Sequence, residues 1–328
     1  MRSFFAYDGP MMYGLGGLSE YSMKGTKSEG PSKRFFLTQM TNSLKFLRKL
    51  RLPTRCRLEL KQVRSDDFIP PVILHIPHAS TLIPDWVKDR FLLDEEGLEQ
   101  EQLKMVDLYA DELFGHKGYP AIISPVSRLV CDVERFSDDE KEPMALVGMG
   151  MMYEKTHDGK QLRRAAYNGD KEELLRRYHR QNELEVESAV TSAIGANGIA
   201  LIIDCHTFPS VPHPFEGDQA YPRPDICIGT DSIHTPADLL QLIKSYFIGL
   251  GYSVAINSPY QGTYVPSRLY RRNRSCMSIM IEISRSLYIN EATGERLSGF
   301  PMLQTRLALL LERVEVFLMG ISHGREGP

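Results

Sequence analysis

Two uninterrupted apolar runs, IALIIDCH at 199–206 and SIMIEIS at 278–284, constrain the fold more than any other feature of the chain. Apolar stretches without polar alternation suit strands buried on both faces, the situation in a largely parallel sheet covered by helices. PPVILHIP (70–77) reads as a further strand. DICIGTD, TPADLLQLIKSYFIGLG and YSVAIN read as a strand–helix–strand unit in which Gly251 ends the helix. Helical period extends over 93–114, 171–194 and 301–319, and YPAIISP and SRLVCDV read as two short strands joined by Pro125. The alternation predicts an α/β fold, a mixed, mostly parallel twisted sheet with helices on both faces.

No linker or repeat interrupts the pattern after residue 66, so 66–328 is expected to be a single α/β domain behind a basic extension, 1–65. Residues 1–64 carry 13 Lys/Arg against 4 Asp/Glu; with a net charge of −3 for the chain, that +9 leaves −12 for the remainder. An acidic body argues against nucleic acid as a partner, because such binding depends on neutralising phosphates. Within the extension, 1–34 lacks any period and reads as disordered. FFLTQMTNSLKFLRKLR (35–51) spaces Phe36, Met40, Leu44 and Leu47 as on an amphipathic helix with basic residues beside them. A plain surface helix and a targeting or membrane-surface segment both fit it. No run of eighteen apolar residues is present, so no membrane-spanning helix is expected. Five cysteines without a C-x-x-C pair suit a reduced, cytoplasmic setting.

Polar residues gather where the strands end. His78 follows the first apolar strand, Asp204 and His206 end another, and Glu282 and Arg285 end a third. Ligands of open α/β sheets bind beyond the carboxyl ends of the strands, and imidazoles with carboxylates suit a zinc that keeps one open position. Asp204 and His206, two residues apart on one strand, point to the same side, so Asp204 is expected to orient an imidazole. His75 falls on the opposite face from His78 and reads as structural. H-E-x-x-H, G-x-S-x-G and the phosphate-binding loop are all missing, which removes zincin, serine-hydrolase and P-loop chemistry.

Seven blocks in order, PPVILHIPHASTLIP, KMVDLYADELF, SPVSRLVCDVERF, EPMALVGMGMMYEKTHDG, LIIDCHTFPS, RPDICIGTDSIHTP and IMIEISRSLYIN, resemble those of the N-formylglutamate amidohydrolase family. The resemblance implies a fold related to zinc carboxypeptidases and phosphorylase/hydrolase-like proteins. It also implies a small-molecule substrate, N-formyl-L-glutamate or a related N-acyl acidic amino acid, hydrolysed to formate and glutamate as a step of histidine breakdown. One zinc per chain is implied, held by His78, His206 and, at the family's acidic position, Asp107, with Asp111 and Asp204 as alternatives. Glu282 is then the general base, taking a proton from the attacking water and passing it to the leaving nitrogen. Arg128, Arg135 and Arg285 are candidates for the substrate carboxylates, with Asp132 to hold one of them. Glu134 and Ser284 stand where the wider family often has Asn, both at what reads as the substrate end. The glycine- and methionine-rich 142–159 is either a binding lid or a loop packed over the sheet. Two other readings stay open: a zinc carboxypeptidase or amidase acting on an acidic peptide or cell-wall-type acyl amino acid, and a non-catalytic homologue that binds an acidic ligand. Oligomeric state is not legible.

Overall fold

The computed structural model describes residues 68–164 and 168–324. The basic extension, including the amphipathic pattern at 35–51, lies outside the described residues. Six strands, β1 (Val72–Ile76), β2 (Ala121–Ile123), β3 (Ala200–Phe208), β4 (Ile226–Gly229), β5 (Val254–Ile256) and β6 (Cys276–Ser284), form one sheet in the order β2-β1-β3-β6-β4-β5. All neighbouring pairs are parallel except β4 with β6, so the β4–β5 pair runs against the rest. The α-helices are α1 (Asp85–Lys88), α2 (Glu95–Met105), α3 (Ala110–Phe114), α4 (Asn168–Leu174), α5 (Arg180–Asn197), α6 (Ala237–Gly249) and α7 (Phe300–Gly324).

Side chains alternate across a strand, and here the alternation sorts core from site. On one face Leu74, Ile76, Ile203, Cys205, Ile281 and Ile283 pack against α3, α6 and α7 through Leu113, Phe247 and Leu310. On the other, Ile73, Ala200, Ile202 and Cys276 meet Val186 and Val190 of α5. That second face turns polar toward the carboxyl ends of the parallel strands. There His75 is in register with Asp204, and His206 with Glu282.

Three expected elements differ. SRLVCDV is not a strand: Val130 N and Cys131 N both bond Ser127 O, making a turn whose apolar residues are buried among Val87, Phe91 and Met149. A buried turn shows the same apolar run as a buried strand. The helix expected over 93–114 stops at Met105 and resumes at Ala110, although no Gly or Pro marks the break. Asp107 N instead bonds His78 O at 2.9 Å, and Tyr109 takes a left-handed conformation, φ 63°. The carbonyls that α2 leaves open are taken by side chains: Arg285 Nη1 and His213 Nε2 bond Lys104 O, and Arg128 Nη1 bonds Met105 O. Tertiary contacts thus override a continuous helical period. The helix expected over 171–194 is longer, Asn168 to Asn197, and carries a π-turn at Leu175–His179 between α4 and α5, with left-handed Gly198 closing it.

Candidate active site

His78, Asp107, His206 and Glu282 converge beyond the carboxyl ends of β1, β3 and β6, at a cavity of about 170 Å³. Each is fixed by something other than its neighbours in sequence. His78 comes two residues after β1. Asp107 lies in the break between α2 and α3, not on a helix as its spacing suggested, and its backbone is tied to His78 O. His206 and Glu282 are brought side by side by the β3–β6 register.

The two imidazoles are arranged alike, each with Nε2 toward a backing carboxylate and Nδ1 toward Asp107. His78 Nε2 lies 2.9 Å from Asp132 Oδ1, and His206 Nε2 lies 3.2 Å from Asp204 Oδ1. The Nδ1 atoms turn to Asp107 Oδ2, at 3.8 Å from His78 and 3.3 Å from His206. His78 Nδ1 is buried with no hydrogen-bond partner among the described residues. A histidine that binds a metal through one nitrogen commonly donates the other N–H to a carboxylate, which is the arrangement of Asp132 and Asp204. The orphaned Nδ1 and the two-imidazole, one-carboxylate donor set therefore fit a zinc ion.

Asp107 is itself held. Arg285 Nη2 bonds its Oδ1 at 3.0 Å. Burial alone would raise the Asp107 carboxyl, but the hydrogen bond from His206 and the Arg285 charge outweigh burial and lower it to about 2. Arg285, expected at the substrate, is committed elsewhere: its other donors go to Lys104 O and Thr207 Oγ1, and it is buried. Asp111, the competitor for Asp107, sits past the helix break in α3 and makes no ion pair with His78 or His206 among the described residues.

Asp132 is the most heavily hydrogen-bonded carboxylate of the site. It accepts from His78, Arg128 Nη2 (2.8 Å), Tyr153 Oη (2.9 Å) and Glu134 N (3.2 Å). Burial alone would raise its carboxyl, but the charges of His78 and Arg128 and the His78 hydrogen bond outweigh burial and keep it well below the usual carboxylate range. Arg128 is correspondingly engaged, bonding Asp132, Tyr153 Oη and Met105 O. Arg135 is held more loosely, 3.6 Å from both Asp132 and Glu142, and lines the cavity.

Glu282 is 7% exposed, and its Oε2 has no hydrogen-bond partner among the described residues. Burial, opposed by the nearby His206 charge and reinforced by Asp107, pushes its carboxyl up to about 8. Such a group exchanges a proton near neutral pH.

Glu134, which the family comparison placed at the substrate end, stands at the centre of the imidazoles instead. Its Oε2 lies 3.3 Å from His206 Nε2 and 3.6 Å from His78 Nε2, and its Oε1 lies 3.4 Å from His75 Nδ1. His78, Glu134 and His206 form a second conceivable metal triad, and His75, Glu134 and Asp204 a third. In the His78–Glu134–His206 triad, however, the Nε2 atoms already face Asp132 and Asp204. His75 lies beneath the site, with Asn182 at its Nε2; burial would lower its imidazole, but Asp204 and Glu134 raise it to about 9. A single residue type two positions after Asp132 gave no hint of this placement. Segment 142–159 is packed at its centre, where Met149, Met151, Met152 and Tyr153 are buried in one cluster with Val126, Leu129 and Val130, while Leu146 before it is exposed.

The family model described as N-formylglutamate amidohydrolase matches residues 70–289. The crystal structure of N-formylglutamate amidohydrolase from Ralstonia eutropha JMP134 superimposes with a TM-score of 0.67 at 22% identity, covering 77% of this chain and 95% of that one. That of the gene product Atu2144 from Agrobacterium tumefaciens gives 0.55 at 20% identity, covering 75% and 92%. No curated protein matches the chain. The fold is the one these structures share, and the chain belongs to the N-formylglutamate amidohydrolase family, as an amidohydrolase.

Proposed function

We propose that the protein hydrolyses the formyl amide of N-formyl-L-glutamate, or of a closely related N-acyl acidic amino acid, with zinc held by His78, His206 and Asp107. The observation that carries the reading is the Glu282 carboxylate oxygen, without a hydrogen-bond partner among the described residues, on the register partner of His206 in the cavity that His78 and Asp107 also line. When bound, zinc supplies a Lewis acid that polarises the amide carbonyl and acidifies the attacking water. Glu282 takes a proton from that water as its oxygen adds to the formyl carbon. The same carboxyl returns the proton to the amide nitrogen as the C–N bond breaks, giving formate and the free amine. Asp132 and Asp204 hold the two imidazoles in orientation, and Arg285 holds Asp107. Arg135 faces a substrate carboxylate, while Arg128 keeps Asp132 in place.

The cavity of about 170 Å³ supports a small substrate over the peptide groove of a carboxypeptidase, since pockets for larger ligands run from about 300 to 1,000 Å³. On this reading the products belong to histidine breakdown. Release of free amine from N-formyl, N-acetyl and peptidyl derivatives of glutamate and aspartate, with and without chelator, tests it. Chelator-sensitive release from N-formylglutamate is expected; cleavage restricted to the peptides would replace this reading with the carboxypeptidase one.

A further inference from the structure

Every arginine lining the cavity already faces a carboxylate: Arg128 faces Asp132, Arg135 faces Asp132 and Glu142, and Arg285 faces Asp107. Lys104 also lines the cavity, and among the described residues its ammonium makes no ion pair. A dianion entering a site whose cations are neutralised in pairs meets desolvation without full compensation. An unpaired cation changes that balance. Lys104 is well placed to supply it, because its backbone is pinned at the end of α2: its carbonyl accepts from Arg285 Nη1 at 2.6 Å and from His213 Nε2 at 3.2 Å. These two bonds fix the backbone at this point, and Lys104 is half-buried among the residues that line the cavity.

We propose that Lys104 is a specificity-determining residue that binds the second carboxylate of a dicarboxylic substrate, Arg135 taking the first. The assignment rests on the acidic-amino-acid reading above and adds which residue reads the side-chain charge. It implies that glutamate-type compounds are separated from their uncharged amides at this one ammonium.

The test is calorimetric titration of the full-length protein with L-glutamate and with L-glutamine, in wild type, Lys104→Gln and Lys104→Arg, beside hydrolysis of the N-formyl derivative of each. A charged hydrogen bond of the usual strength corresponds to about a 10–100-fold loss of glutamate affinity in Lys104→Gln. Glutamine binding should be unchanged, and Lys104→Arg should keep most of the glutamate affinity. Equal losses for both ligands, no loss for either, or failure of wild type to bind glutamate would overturn the proposal. Lys104-dependent glutamate binding by a wild type that does not hydrolyse N-formylglutamate would uphold it while removing the formyl-amide reaction.

Discussion

His206 and Glu282 are register partners on β3 and β6, adjacent parallel strands in the middle of the sheet. Strands so paired lie about 4.8 Å apart, and residues in register present their side chains to the same face. The sheet therefore sets the distance between a candidate metal ligand and a candidate proton carrier, with no loop involved. Two residues back, Asp204 on β3 backs the same imidazole at 3.2 Å. One strand pair thus carries a candidate ligand, the carboxylate that backs its imidazole and the candidate base.

Replacing Glu282 by Gln keeps the shape and removes the proton-accepting oxygen. We expect kcat to fall about 10²–10⁴-fold, the usual range for a general base, with metal content and unfolding midpoint retained. Steady-state kinetics with elemental analysis of the same preparation checks this. An unchanged kcat would take the proton transfer away from Glu282.

The choice between the two faces of the imidazoles is open to direct measurement. If the Nδ1 face with Asp107 is the metal site, purified protein holds one zinc, and Asp107→Ala loses most of it while Glu134→Gln keeps it. The reverse pattern would move the ligand set to Glu134 and the Nε2 atoms. Removal of the metal by chelator should abolish turnover in either case.

How much of this was legible in the sequence depends on whether a feature is local. β3 and β6 could be read directly, because burial on both faces leaves a continuous apolar run. His78, His206 and Glu282 could be located at strand ends by the same logic. The antiparallel seating of β4 against β6 has no sequence signature, since pairing direction follows from the connection and not from the strand. The break at Val106–Tyr109 was invisible because it is made by His78 O and by three side chains from distant segments. Glu134 was seen as a departure from a family pattern, but its seat among three histidines depends on the 127–131 turn. Lys104 shows its significance only after the partners of every arginine in the cavity are known.

Gly229 closes β4 where a side chain has no room. A Cβ there would overlap the carbonyl oxygen of Gly262 and the Met280 side chain, and both residues line the cavity. Gly229→Ala should therefore cost about 1–3 kcal/mol, as overpacking usually does. It should also displace the cavity wall at 260–264, so that KM rises along with the loss of stability. A urea midpoint equal to that of wild type would show that the two segments separate without strain.

Arg128 and Arg135 lie seven residues apart on one turn-rich segment, face the same Asp132, and should nonetheless behave differently. Arg128 is tied to Asp132 at 2.8 Å, to Tyr153 and to Met105 O, with its side chain 13% exposed. Arg128→Ala leaves a buried carboxylate with one strong partner fewer and opens the end of α2. Loss of one member of a buried pair costs about 3–5 kcal/mol, and His78, held by the same Asp132, should lose metal with it. Arg135 stands 3.6 Å from its carboxylates, so Arg135→Ala should leave the fold and the metal in place and act on substrate. We expect KM for an acidic substrate to rise by about 10–100-fold, equivalent to a charged hydrogen bond, with little change for the corresponding amide of the recognised carboxylate. Thermal unfolding, metal content and paired kinetics on acid and amide substrates separate the two outcomes. Equal effects of Arg135→Ala on both substrates would make it, like Arg128, a residue that holds Asp132.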